Sequence, residues 1–297
     1  MKNTYSIDCE LVKLRNLHLP NNPLLIAIIN AYLSFLPGNV KKSSVEYHEW
    51  KNGNIKMHMF IPRTLKDKVT PCLFYIHGGG FVFRATDVQY HYEQQYALNC
   101  NCRVIGIDYH RLPKHTYPVA VNECIDAYRY IVEQASSLRI DADKIAVGGD
   151  SAGGLLSLET YFHLKETEIK QPNGLMLIYP VADHTSSTES IRKYTDTPVW
   201  DGKANKVFWK KYLDGQEYTS PLQRADEISI DNLFVEVEEF DCLHDEGKLL
   251  FEKARVNVAN PVLVDNIGTF HAYDANYNAE ISKKSLAARC DFLRRCF

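Results

Sequence analysis

The sequence lacks several features that would have assigned it to a class at once. No apolar run in it is long enough to span a bilayer. The most apolar early stretch, Leu24 to Leu36, covers 13 residues, whereas a spanning helix needs about 20. Asp8 and Glu10 precede that stretch, Pro37-Gly38 follow it, and no A-x-A cleavage pattern is present, so a secretory leader is not expected. Neither is stable membrane insertion. The stretch reads instead as an amphipathic helix lying on the body of the protein. No charge excess exists either: 34 Lys and Arg against 37 Asp and Glu leave a net charge of −3. Without a basic stripe and interleaved aromatics, nucleic acid is not an expected partner. The eight cysteines do not make a disulfide scaffold in 297 residues, and Cys100-Asn101-Cys102 has no second Cys/His pair at ligand spacing. No metal site is therefore expected, and reduced thiols in a cytoplasmic protein are the expectation. Internal repeats, low-complexity segments and interdomain linkers are also missing.

What is present is ordinary globular composition, 45% hydrophobic and 24% charged, with room for one large α/β domain, residues 1–297. Residues 1 to about 42 read as helical and mixed, ending at Pro37-Gly38. Ser44 to Trp50 and Ile55 to Ile61 alternate, with Asn52-Gly53-Asn54 as a hairpin turn between them. Continuous apolar runs suited to buried strands follow at Cys72 to Ile76, Arg103 to Tyr109, Ile145 to Val147, Gly174 to Tyr179, Leu233 to Val237 and Val262 to Ile267. Helical stretches separate them, around Tyr90 to Leu98, Val119 to Gln134, Leu155 to Lys165, Asp245 to Val258 and Asn278 to Cys296. Strands alternating with helices predict a mostly parallel sheet covered on both faces. Residues 183–220 break the alternation with Trp200, Phe208, Trp209 and Tyr212. They read as short helices which, with residues 1–42, would form a cap over the strand ends.

The stretch Lys144 to Leu156, KIAVGGDSAGGLL, reads as strand, sharp turn and helix. It contains the pentad Gly149-Asp150-Ser151-Ala152-Gly153. A nucleophile at the tip of such a turn needs flanking residues without side chains. Ser151 would then stand exposed above the sheet, at a helix N-terminus that favours negative charge.

Active residues of a parallel sheet gather at the carboxyl ends of its strands. His77-Gly78-Gly79-Gly80 lies at such an end, about 70 residues before the pentad. Its backbone N–H groups, with that of Ala152, could hold a tetrahedral oxyanion. A serine nucleophile also needs a base and an orienting carboxylate. The carboxylate is sought among Glu238, Glu239, Asp241 and Asp245, all just past the LFVEV run. Asp245 precedes a helix and reads as its N-cap, which leaves Asp241 pointing into the site. His271 follows the last strand. Its main rival, His244, is only three residues from Asp241, a poor place for a separate base. His48 and His58 on edge strands, His91 and His163 on helices and His184 in the insertion read as ordinary. Ser151, Asp241 and His271 then occur in the order Ser–Asp–His.

HGGGF, GDSAGG, the D-x-L-x-D-E-G of Asp241 to Gly247 and the final His271 resemble the hormone-sensitive-lipase-like family of α/β-hydrolase serine esterases. Tyr179-Pro180, Asp183 and Ser220-Pro221 are smaller echoes. The resemblance covers about residues 45–297 and implies an α/β-hydrolase fold with an eight-stranded sheet and a helical cap. It implies Ser151 as nucleophile, His271 as base, Asp241 as acid, and Gly79, Gly80 and Ala152 as oxyanion donors, with His77 holding the glycine loop. The implied activity is hydrolysis of short- to medium-chain acyl esters through an acyl-enzyme, with no metal or organic cofactor. An amidase or peptidase shares the same triad, and related receptors bind small molecules without catalysis. Family members often dimerise through the last strand's edge, which would make Val262 to Ile267 a homodimer contact. One departure stands out. The family's usual D-Y-R-L-A-P-E is Asp108-Tyr109-His110-Arg111-Leu112-Pro113-Lys114 here.

Overall fold

The computed structural model describes residues 5–20, 22–34 and 44–297. Strand β1 (Val45–Asn52) pairs antiparallel with β2 (Ile55–Pro62) through the expected turn, with Gly53 at φ +59°. β3 (Thr70–Ile76), β4 (Arg103–Asp108), β5 (Ile140–Asp150), β6 (Gly174–Ile178), β7 (Asn232–Glu238) and β8 (Asn260–Asn266) complete one eight-stranded sheet in the order β1-β2-β4-β3-β5-β6-β7-β8. β2 runs antiparallel to β4, and every later pairing is parallel. This is the expected fold class.

The continuous apolar runs have a physical cause. Successive side chains of a strand point to opposite faces. In β3, Cys72, Phe74 and Ile76 enter one core and Leu73 and Tyr75 the other. A strand covered on both faces must be apolar at every position. One face is covered by α2 (Asp87–Cys100) and α8 (Glu280–Cys296), which bring Tyr92, Tyr96, Phe292 and Leu293. The other is covered by α3 (Val119–Glu133), α4 (Ala152–Lys165) and α7 (His244–Ala254), with Tyr128, Leu156 and Leu250. The insertion holds α5 (Glu189–Lys193) and α6 (Gly202–Leu213), as expected. Asp201 starts α6 by accepting from Lys203 N and Ala204 N. No described helix is long and apolar enough to cross a membrane.

Two expectations need correction and one holds in part. Residues 1–42, read as helical and mixed, are helical only in part. Among those described, 5–20 are irregular, with turns at 9–16 around the short helical turn Val12–Leu14, and α1 (Pro23–Leu33) is the one full helix. Distant partners hold this irregular segment in place: Asp8 N donates to Gly268 O (2.9 Å), and Leu17 O accepts from Val199 N (2.6 Å). The expected helix end at Pro37-Gly38 lies outside the described residues. His58 is not on an edge strand, since β2 lies between β1 and β4; it is buried against Glu93. Asp245 is not a helix cap either. The helix starts one residue earlier, and Asp245 accepts from Ser190 N (2.8 Å) across to α5.

Candidate active site

Ser151 stands at the tip of the turn between β5 and α4, at φ +55° and ψ −118°, a region that side-chain-bearing residues rarely adopt. The turn is held over by bonds from Ser151 N to Ile178 O (2.9 Å) and from Val181 N to Ser151 O (3.2 Å). Sheet and helix approach so closely there that a Cβ on Gly153 would lie 1.9 Å from Ile76 O. Only glycine fits that position. The strain therefore has a structural source in the packing of α4 against β3.

The side chains named from the sequence meet. Ser151 Oγ lies 2.8 Å from His271 Nε2, and His271 Nδ1 lies 2.6 Å from Asp241 Oδ2. A carboxylate can only accept, so the Nδ1–H donates to Asp241 and Nε2 is left to accept the serine proton. Asp241 Oδ1 takes Leu243 N at 2.9 Å, which fixes the carboxylate's orientation. All three side chains are buried. The other carboxylates go elsewhere. Glu238 accepts from Thr269 Oγ1 (2.5 Å), and Glu239 accepts from Gly268 N (2.8 Å). His244 faces Asp245 and Asp265, away from Ser151.

The glycine loop is held from below. Asp150, beside the nucleophile, accepts from Gly78 N and from Tyr75 OH, both at 2.9 Å, and from Gln89 Nε2 at 3.1 Å. Burial pushes its carboxyl above the usual range, and these three donors pull it back. His77 stacks on Tyr109 with ring centroids 4.5 Å apart, and its Nδ1 lies 2.7 Å from Gly78 O. Burial, aided by the Arg111 guanidinium, pushes His77 down to about 3, so it stays neutral. Gly79 and Gly80 sit at φ +105° and +59° and line the cavity that holds Ser151 and His271. Among the described residues, no acceptor takes their N–H groups. Ala152 opens α4, where N–H groups have no partner within the helix.

Sequence reasoning missed the support beneath His271. Tyr179 meets its ring edge-on at 4.9 Å, and Tyr179 OH donates to Asp274 Oδ1 at 2.8 Å. Asp274 and Glu236 flank the buried Arg289, with Arg289 Nη1 to Asp274 Oδ2 at 2.9 Å and Nε to Glu236 Oε2 at 2.8 Å. Glu236 lies inside the apolar LFVEV run, and that charge was the available signal. In place of the usual motif, Arg111 pairs with Asp108 (2.6 Å) and His110 with Glu123.

The cavity over Ser151 measures about 400 Å³ and is mostly apolar, walled by Phe83, Val199, Trp200 and Ile29. Comparison with known proteins places the fold among esterases. A family described as alpha/beta hydrolase fold matches residues 73–275. The chain is 28% identical over 229 residues to esterase LipI of Mycobacterium tuberculosis, covering 74% of this chain and 71% of that one. It is 31% identical over 183 residues to an ethyl acetate hydrolase of Pseudomonas putida, covering 59% and 57%. Esterase LipW of Mycobacterium marinum superposes with a TM-score of 0.88 at 21% identity, over 98% of this chain and 96% of that one, a likeness of fold.

Proposed function

The chain belongs to the hormone-sensitive-lipase-like family of α/β-hydrolases, and on that premise we propose that it is a serine carboxylesterase acting through Ser151, His271 and Asp241. One observation carries the reading: the continuous hydrogen-bond chain Ser151 Oγ–His271 Nε2 (2.8 Å) and His271 Nδ1–Asp241 Oδ2 (2.6 Å). Names of relatives, esterase and ethyl acetate hydrolase, agree with it.

Ser151 Oγ attacks the ester carbonyl carbon as its proton passes to His271 Nε2. The carbonyl oxygen becomes an oxyanion held by the N–H groups of Gly79, Gly80 and Ala152. Asp241 stabilises the imidazolium and keeps the correct tautomer. The C–O bond to the alcohol breaks, and His271 hands its proton to the departing alkoxide. Water, deprotonated by His271, then attacks the acyl-enzyme, and Ser151 is regained with release of the acid. None of these steps requires a metal or organic cofactor.

A small apolar cavity suits short- to medium-chain acyl groups. We read α1 and residues 183–220 as parts of one cap on a single domain. The eight unpaired cysteines support a reducing, cytoplasmic setting. The open edge of β8 is where a homodimer would pair. The test is hydrolysis of p-nitrophenyl esters from acetate to palmitate by wild type and Ser151→Ala. Activity peaking at short chains in the wild type and lost in the variant is the expected result. Substantial turnover by pure Ser151→Ala would sink the assignment, and wild-type activity on amides alone would make the enzyme an amidase.

A further inference from the structure

A second cavity of about 420 Å³ adjoins the one over Ser151 but contains neither Ser151 nor His271. It is mostly apolar, with Val82, Leu112, Val207 and Phe208 among its walls and Asp201, Lys203 and Lys211 at its polar part. The two cavities share the glycine loop (Gly79, Gly80), Phe83, Val199 and Trp200, together with the N-terminal residues 18–20. Between the two cavities stand the glycine loop with the Trp200 indole against it, and the segment 18–20 beside them. The approach is tight: a Cβ built on Gly80 would meet the Trp200 ring atoms Cη2 and Cζ3 at 3.2 Å. The indole also lies 6.3 Å from the His271 ring, centroid to centroid.

Trp200 is fixed in this place from several sides. Its Nε1–H donates to Asn205 Oδ1 at 3.3 Å, and its ring meets Phe208 edge-on at 5.9 Å. Its carbonyl accepts from Thr197 Oγ1 at 2.7 Å. The preceding Val199 sits at φ +63°, which is strained backbone for a β-branched residue. The bond from Val199 N to Leu17 O (2.6 Å) holds that conformation, so a segment from the other end of the chain clamps the indole's loop. The ring is thus firmly held between two mostly apolar spaces of similar size.

Resting on the esterase reading, we propose that Trp200 determines acyl-length specificity by closing the passage between the two cavities. An acyl chain on Ser151 stops at the indole. Replacing the indole with a small side chain opens the second cavity, and longer chains gain apolar contact there.

The test compares wild type, W200A and W200L on p-nitrophenyl acetate, butyrate and octanoate, with active sites counted by fluorophosphonate labelling. The octanoate-to-acetate ratio of kcat/KM should rise about ten-fold or more, as extra methylenes become buried. Adding V207W, which fills the second cavity from a position outside the first, should bring the ratio back down. If W200A does not fold, W200L carries the comparison. An unchanged ratio in variants that still label would overturn the proposal. So would a raised ratio that V207W leaves intact, because the chain would then be going elsewhere. A wild type that neither labels nor cleaves acetate would instead overturn the esterase reading, and this inference with it.

Discussion

At the residue scale, the site depends on single atoms with single partners. Asp241 is the carboxylate hydrogen-bonded to His271, so Asp241→Asn should leave the fold intact and lower kcat by about 10³–10⁴ with little change in KM. Steady-state kinetics on p-nitrophenyl acetate checks this, and a loss under ten-fold would remove Asp241 from its role. Gly79 cannot carry a side chain at φ +105°, where a Cβ would lie 2.8 Å from Phe83 O. Gly79→Ala should misplace an oxyanion donor and lower kcat by about 10²–10³, while fluorophosphonate labelling continues slowly. Ser151, Asp241 and His271 could be read from the sequence because each lies just past a recognisable strand. Asp245 was misread because the start of a helix is set by the whole preceding turn, here occupied by Asp241 and Leu243. Asp274 carried no local signal at all. Its meaning comes from Arg289, 15 residues further on, and Tyr179, 95 residues back.

At the element scale, α8 is bolted to the sheet by charge as well as by apolar contact. Arg289 is buried between Glu236 of β7 and Asp274 of the loop beyond β8. Arg289→Met leaves two buried carboxylates without a counter-charge and should cost about 3–5 kcal/mol, read as a lower urea midpoint. Making Glu236→Gln and Asp274→Asn in the same chain should recover much of that loss, since the unpaired charge is the cost. A second tie runs from α4, where partly buried Glu159 accepts from Tyr218 OH. Burial raises the Glu159 carboxyl to about 7 from 4.5. A raised acid favours the folded state while protonated, so this contribution is present below about 4.5 and fades as pH rises through 7. Melting curves from pH 4 to 8 should show Glu159→Gln losing about 1–3 kcal/mol less than wild type over that span. The buried strands were legible because two covered faces demand unbroken apolar runs. Residues 5–20 were not, because their irregular path is held by bonds to Gly268 and Val199, which no local pattern announces.

At the scale of the whole molecule, all eight cysteines are unpaired and only Cys9 is exposed. Burial holds Cys72 up at about 12 and raises Cys102, Cys124 and Cys242 as well. Such thiols are inert. A thiol reagent should therefore titrate one group quickly in the native protein and eight after unfolding, and several fast groups in the native state would contradict the packing. The eight-stranded order could be foreseen in class, but the clamp of Leu17 on the Val199 loop required the folded chain. The fold as a whole also screens which reagents it can use. Packing of α4 against β3 forces Ser151 to φ +55° and ψ −118°, where a branched Cβ is disfavoured more than an unbranched one. Threonine, although an alcohol of similar reactivity, is thus a poor occupant on backbone grounds alone, while cysteine fits the same geometry. Among hydroxyl and thiol side chains, the exchange open to this enzyme by mutation is narrowed to a change of element, oxygen for sulfur, before any question of chemical competence arises.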